Sequence, residues 1–350
     1  MALAVALAGV LCLTQCSSAS DSEKPRSGWA ERSPDRRPSE GRSPEDRDPS
    51  ATPTPSTAPS PSSRGRVRAD LERRVTAYTA GFSEDSGYRR PSAADRRTVA
   101  EGVALLLDRH RSRAERRLAD VDFQVRTVTD TDSGRRFAEV SDLSEDASAP
   151  RGWGRVYVDL DSPIRWSVQV PHPVADRHTE RLGAALLSRS PGGVMVIAGA
   201  HRKAGRDDEA DVAHRRKSVF HAICDELAKR GVPGIQVHGM ADDSAPKYDV
   251  VASTGKGREA VAEGRDLADA LRRRGYDVCR AWTRSCPLEG RKNVQGRNAT
   301  AQDTEFLHVE FGARIRDRDR HLRAAVSAMA SVTRDWRRMQ AGERGAVAGR

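Results

Sequence analysis

Residues 168–180 read "VQVPHPVADRHTE", which sets His172, Asp176, His178 and Glu180 directly behind an alternating apolar run. Imidazoles and carboxylates bind metals and move protons, and loops at the strand ends of a rigid α/β scaffold are where such groups usually act. Further along, His201 and Arg202 follow "VMVIAG", His238 follows "GIQV", and Glu310 lies within "FLHVEFG". Two imidazoles and a carboxylate are what a hydrolytic zinc takes, with a fourth position left for water. His172 and His238 are the imidazole candidates. For the carboxylate, Asp176 in the loop competes with Glu180 at the start of the next helix, and Glu180 is preferred by a small margin. Glu310 suits a general base that takes a proton from water and returns it to a leaving amine. The competing role for Glu310 is an ion pair with Arg314 or Arg316. Arg202, Arg215 and Arg314 are candidates for holding a substrate carboxylate. His214 and His221 are assigned to packing or support.

These groups have to be positioned by something. From "TERLGAALLSR" onward, helical periodicity alternates with short apolar runs such as "GGVMVIAGA", "PGIQVHG", "YDVVAST" and "TEFLHVEFG". That alternation implies an α/β fold with a mixed, mostly parallel central sheet covered by helices on both faces. Thr179 is the expected N-cap of the helix after the opening motif. "DVAHRRKSVFHAICDELAKRG" is expected to be one helix ended by Gly231. Upstream, residues from about 69 to 121 carry a helical pattern that reads as one long amphipathic helix. It is followed by short strands in "FQVRTV", "RRFAEVSDL", "GRVYVDL" and "WSVQV", a hairpin-rich approach to the sheet.

The chain has 350 residues, a net charge of +10 and only 37% hydrophobic residues, so part of it is expected to stay outside any core. Residues 1–16, "MALAVALAGVLCLTQC", read as a secretory signal segment without a basic start. Its end resembles a lipoprotein signal, with Leu13 three residues before Cys16 but Gln15 where a small residue is preferred. Residues 17–66 are rich in Ser, Pro, Asp, Glu and Arg and read as an extended tether. The folded domain is expected at 67–340 and a flexible tail at 341–350. Cys279 and Cys286 flank "RAWTRS", the spacing of a small disulfide loop in an exported chain, while Cys224 reads as a buried hydrophobe. No CxxC pair is present, which argues against a thiolate zinc site. The charge is scattered, and no stacked aromatic or recognition-helix motif accompanies it, so nucleic acid ranks last among partners.

The ordered motifs "PHPVADRHTE", "AGAHR", "DVAHRRKSVFHAI", "GIQVHGM", "DVVASTG" and "LHVEFG" resemble zinc-dependent amidohydrolases of the N-formylglutamate amidohydrolase and poly-γ-glutamate hydrolase type, from about Trp166 to the last helix. The resemblance implies the zinc carboxypeptidase-like (phosphorylase/hydrolase-like) fold. It also implies zinc held by a His, a carboxylate and a second His, with a late-strand glutamate as base. Carried over, these roles fall on His172, Glu180 or Asp176, His238 and Glu310. Carboxypeptidases place the acid three residues after the first His, where this chain has Ala175. Related cell-wall amidases place it farther on, at a helix start, as Glu180 would be. The function expected is an exported zinc hydrolase, extracellular or lipid-anchored at the outer face of the cell membrane, that cleaves an amide bond in a peptide-like or cell-envelope substrate. The alternative is an inactive surface lipoprotein that binds an anionic polymer through its arginines.

Overall fold

The computed structural model describes residues 66–146 and 150–348, with side chains through residue 339. The signal segment, Cys16 and the tether up to residue 65 lie outside the described residues. One sheet of ten strands organises the rest, in the order β1-β2-β3-β4-β6-β5-β7-β10-β8-β9. The strands are β1 (Arg66–Ala69), β2 (Phe123–Asp130), β3 (Arg136–Asp142), β4 (Arg155–Asp159), β5 (Trp166–Val170), β6 (Gly193–Ile197), β7 (Gly234–Gly239), β8 (Val250–Ser253), β9 (Val278–Arg280) and β10 (Phe306–Phe311). Five of the nine neighbouring pairs are parallel, including the contiguous run β6-β5-β7-β10, so these four strands end on one rim. The antiparallel pairs β2-β3, β3-β4 and β4-β6 form the expected hairpin approach.

Period-2 alternation divides the core into two layers. Met195 and Ile197 of β6 pack into one layer, with Val168 of β5, Ile235 of β7 and Leu307 of β10, under helices α1 (Leu71–Thr79), α4 (Thr179–Arg189), α6 (Val261–Arg272) and α9 (Asp319–Ala348). Val194 and Val196 of the same strand pack into the other, under α2 (Ala93–Leu107), α3 (Arg111–Ala119) and α5 (Val219–Lys229). On that second face β5, β7 and β10 present Gln169, Gln236, His238, His308 and Glu310, all buried. Helix α7 (Val294–Ala301) packs against β10 and α5, and the short α8 (Ala313–Arg316) follows β10. Among the described residues no helix is long and apolar enough to cross a membrane.

Four local expectations are corrected. The single long N-terminal helix is instead α1, α2 and α3. Ser92 starts α2 with a reciprocal capping box to Asp95, and Arg109 at φ +63° breaks the chain between α2 and α3. The α2–α3 hairpin closes by seating Leu118 on Gly102, where a Cβ would lie 2.5 Å from the leucine Cγ. Residues 211–218 form turns, and α5 starts only after Ser218, whose hydroxyl accepts the His221 N–H. Thr179 is the first helical residue of α4, not its cap; that position is His178, at φ +69°. The closing helix α9 continues to Ala348, into the segment assigned to a tail.

Cys279 and Cys286 are bridged, and Cys224 is free and buried. The bridge ties β9 to the loop at 286–293, and the Cys286 N–H donates to Glu289 at 2.6 Å. A cross-link closing so short a loop, with sequence separation 7, is worth about 2.5 kcal/mol by loop entropy. Cys279→Ser with Cys286→Ser should therefore lower the thermal midpoint measurably. An unchanged midpoint, or both thiols found free in denatured, unreduced protein, would refute the bridge.

Candidate metal centre

The loop after β5 makes a tight turn that returns Asp176 to His172. The Asp176 N–H donates to the His172 carbonyl at 2.9 Å, and Thr179 N–H donates to the Asp176 carbonyl at 3.1 Å. Val174 and His178 both lie at φ +69°. A left-handed β-branched residue costs on the order of 1–3 kcal/mol, so this turn is held in place by its surroundings and not by its own preferences.

The turn brings Asp176 Oδ2 to 3.2 Å from His172 Nδ1 and 3.1 Å from His238 Nδ1. All three residues are buried, and one ligand atom from each lies within 4.8 Å of the others. The far side of each ring is already engaged. His172 Nε2 is 2.9 Å from Asp211 Oδ1, and an ionised carboxylate only accepts, so Nε2 carries the proton. His238 Nε2 is 2.8 Å from Gln236 Oε1. That amide is fixed by its neighbours: Gln236 Nε2 donates to Gln169 Oε1 at 3.1 Å, and Asn293 Nδ2 donates to Gln236 Oε1. Asn293 is fixed in turn, since its Oδ1 accepts the Gln295 and Gly296 N–H groups as the N-cap of α7. Both rings therefore hold their protons on Nε2 when neutral. Two Nδ1 lone pairs then face one carboxylate oxygen with no donor between them, an arrangement that calls for a cation.

The protonation energetics agree. Burial pushes the Asp176 and Asp211 carboxyls up, yet the imidazoles beside them, His172 and His238 at Asp176 and His172 and His214 at Asp211, hold both well below the carboxylate range. Burial works against a charged His172, but its two carboxylates raise its pKa. His238 moves the other way, lowered by burial and by neighbouring His308. Of the two rings, His172 is therefore the one that favours a second proton, between two acids. The atoms fit a divalent ion, whose ligands are neutral imidazole and carboxylate.

An open cleft of about 560 Å³ lies over this cluster and is lined by His172, His238, His308, Glu310, Arg202 and His214, among others. Glu310 is level with His238 in the parallel pairing of β10 and β7, and its Oε1 is 3.2 Å from His308 Nε2. Neither proposed arginine pairs with it by hydrogen bond: Arg314 turns outward to Asp249, and Arg316 binds backbone carbonyls. His308 Nδ1 is buried without a partner among the described residues, and its ring lies 4.4 Å from that of His238, centroid to centroid.

Of the residues chosen from sequence, His172, His238, Asp176 and Glu310 come together. Glu180, the preferred carboxylate, does not. It is carried off in the first turn of α4, with its carboxyl raised by burial and Oε2 unpartnered. Four residues after His172, and not three or eight, is the spacing at which this turn returns an acid to the ring. Arg202 lines the cleft and donates to Asp211 Oδ2 at 2.6 Å. Arg215 points to the carbonyls of Asp207 and Asp208, in a separate surface pocket, and Arg314 lies near Tyr276. Sequence reasoning missed Asp211, His308, Gln236 and Asn293. Strand alternation does carry a signal for two of them, since residues two before His238 and Glu310 must share their face.

No family model matches the chain, and no curated protein is similar to it. Among solved structures it is similar to an N-formylglutamate amidohydrolase from Ralstonia eutropha JMP134, at 14% identity and a TM-score of 0.39, over 53% of this chain and 99% of that one. It is also similar to a metallo-carboxypeptidase from Burkholderia cenocepacia, at 15% identity and a TM-score of 0.35, over 64% of this chain and 69% of that one.

His221, beside the amide network, accepts from Gln295 Nε2 at 3.4 Å and is pushed down to about 4 by burial. The unfolded ring takes up a proton near pH 6.5 and the folded one near 4, so stability is full above about 6.5 and falls as pH drops through that window, by on the order of 3 kcal/mol. Thermal midpoints between pH 4 and 7 should show a shallower acid slope for His221→Gln than for the unsubstituted protein. Equal slopes would refute the assignment.

Proposed function

We propose that this chain is a zinc-dependent hydrolase that cleaves an amide bond in a peptide-like or cell-envelope substrate. One observation carries the reading: the Nδ1 atoms of His172 and His238 and the carboxylate of Asp176 converge as acceptors, with both Nε2 protons already committed. When bound there, zinc supplies Lewis acidity, making water more acidic and polarising a carbonyl.

The protein's own groups do the rest. Asp211 and the Gln236–Asn293 pair hold the two imidazoles in the ligating tautomer. Glu310, oriented by His308 and opening on the cleft, is suited to take a proton from water and pass it to the leaving amine. Arg202, steadied by Asp211, offers its guanidinium to a substrate carboxylate or carbonyl. An open cleft suits a segment of a larger chain as well as a small amide. Export, with a lipid on Cys16, belongs to the same proposal. It is supported by the apolar residues 1–16 and by a disulfide, which persists in oxidising compartments. Recovery of the full-length chain in the cytoplasm as the sole product would argue against it.

Zinc content of the purified full chain tests the catalytic reading. His172→Ala, His238→Ala and Asp176→Asn should each lose stoichiometric zinc, whereas Glu180→Gln should keep it. Glu310→Gln should keep zinc yet lower hydrolysis of acidic peptide amides by roughly a hundredfold or more. Full zinc retention in both histidine variants would sink the proposal.

A further inference from the structure

Arg316 is 5% exposed, yet among the described residues its guanidinium makes no hydrogen bond to a carboxylate. Each of its three nitrogens donates instead to a different backbone carbonyl. Nε donates to the Phe311 carbonyl at 2.8 Å, Nη2 to the Met240 carbonyl at 3.0 Å, and Nη1 to the Arg177 carbonyl. Each acceptor stands just past a residue of the site: Phe311 follows Glu310, Met240 lies two beyond His238, and Arg177 follows Asp176. Three separate segments of chain are thus tied to one planar group behind the metal cluster. The next residue adds to the tie, since Asp317 accepts from the Arg177 side chain and lies 3.1 Å from His178 Nδ1.

The close approach has been made possible locally. A Cβ on Gly239 would lie 2.7 Å from Arg316 Cζ, so the strand passes the guanidinium only because that residue is glycine. The strained turn at 171–178 has no regular secondary structure of its own and needs an outside anchor. A planar fork with donors in several directions can hold three carbonyls at once, which a single ammonium cannot. The buried charge also lies within electrostatic reach of Asp176 and Glu310.

From this geometry we infer that Arg316 is a positioning residue that sets the separation of Asp176, His238 and Glu310, and so the metal affinity of the centre. The inference rests on the zinc reading above. Its test uses the full chain and three variants, Arg316→Lys, Arg316→Gln and Gly239→Ala, with the exposed Arg314→Gln as control. Zinc dissociation constants, the absorption spectrum of the cobalt(II)-substituted protein and the metal-free thermal midpoint are measured for each.

All three variants should bind zinc ~10-fold or more weakly, the scale on which supporting groups act at metal sites. Their cobalt spectra should shift, and Arg314→Gln should match the unsubstituted protein. Gly239→Ala keeps every charge and only displaces the guanidinium, so it decides the matter if the Arg316 variants do not fold. Unaltered affinity and spectrum in Gly239→Ala and in the folded Arg316 variants would overturn the positioning role, whatever happens to the midpoint. An unsubstituted protein that binds no zinc would overturn the metal reading itself, and the positioning role with it.

Discussion

Asp176 shares one carboxylate oxygen between two buried imidazoles, and most of the surrounding structure exists to make that sharing tolerable. A buried carboxylate is expensive unless it is paired, and here the partners are rings whose donors point away. A second proton on His172 would relieve the conflict, and its pKa is raised because Asp176 and Asp211 flank it on both sides. A divalent ion would relieve it more fully, since it replaces one shared proton with a charge that all three acceptors can face. The cluster is therefore poised between two cations, one proton or one metal, and its polar neighbours are arranged to serve either.

Those neighbours form a chain of fixed orientations. The backbone N–H groups at the start of α7 orient Asn293, which orients Gln236, which orients His238. A helix N-terminus thus sets the tautomer of a ring three links away. Buried amide networks are costly when half satisfied and specific when complete. This one is complete at the atoms that matter for His238. The same face of the sheet carries His308 and Glu310, so one side of three adjacent parallel strands is buried and polar while the other side is apolar core.

Local sequence preference and the needs of the site conflict in the loop at 171–178. A valine and a histidine with left-handed backbone are poor choices for a free turn, and the structure keeps them through contacts from elsewhere: the Arg316 fork, Asp317 and the second-face network. The disulfide does similar work at the cleft lining, tying to β9 the segment that carries Asn293. Rigid strands and anchored loops together keep the groups close enough for chemistry.

The alternation of helices and apolar runs was enough to derive a mixed sheet with helices on both faces, because burial periodicity is written residue by residue. His172, His238 and Glu310 could be read for the same reason: each stands on or just beyond a strand whose direction follows from the pattern. The choice of Asp176 over Glu180 could not be read, since it depends on a turn whose backbone angles its own residues disfavour and only tertiary contacts impose. The fold-back between α2 and α3 escaped a pattern that stays in phase across Arg109, where Leu118 seats on Gly102 only once the chain has turned back. Asp211, Gln236, Asn293 and Arg316 gain their meaning from what lies opposite them, at distances along the chain that no local spacing encodes.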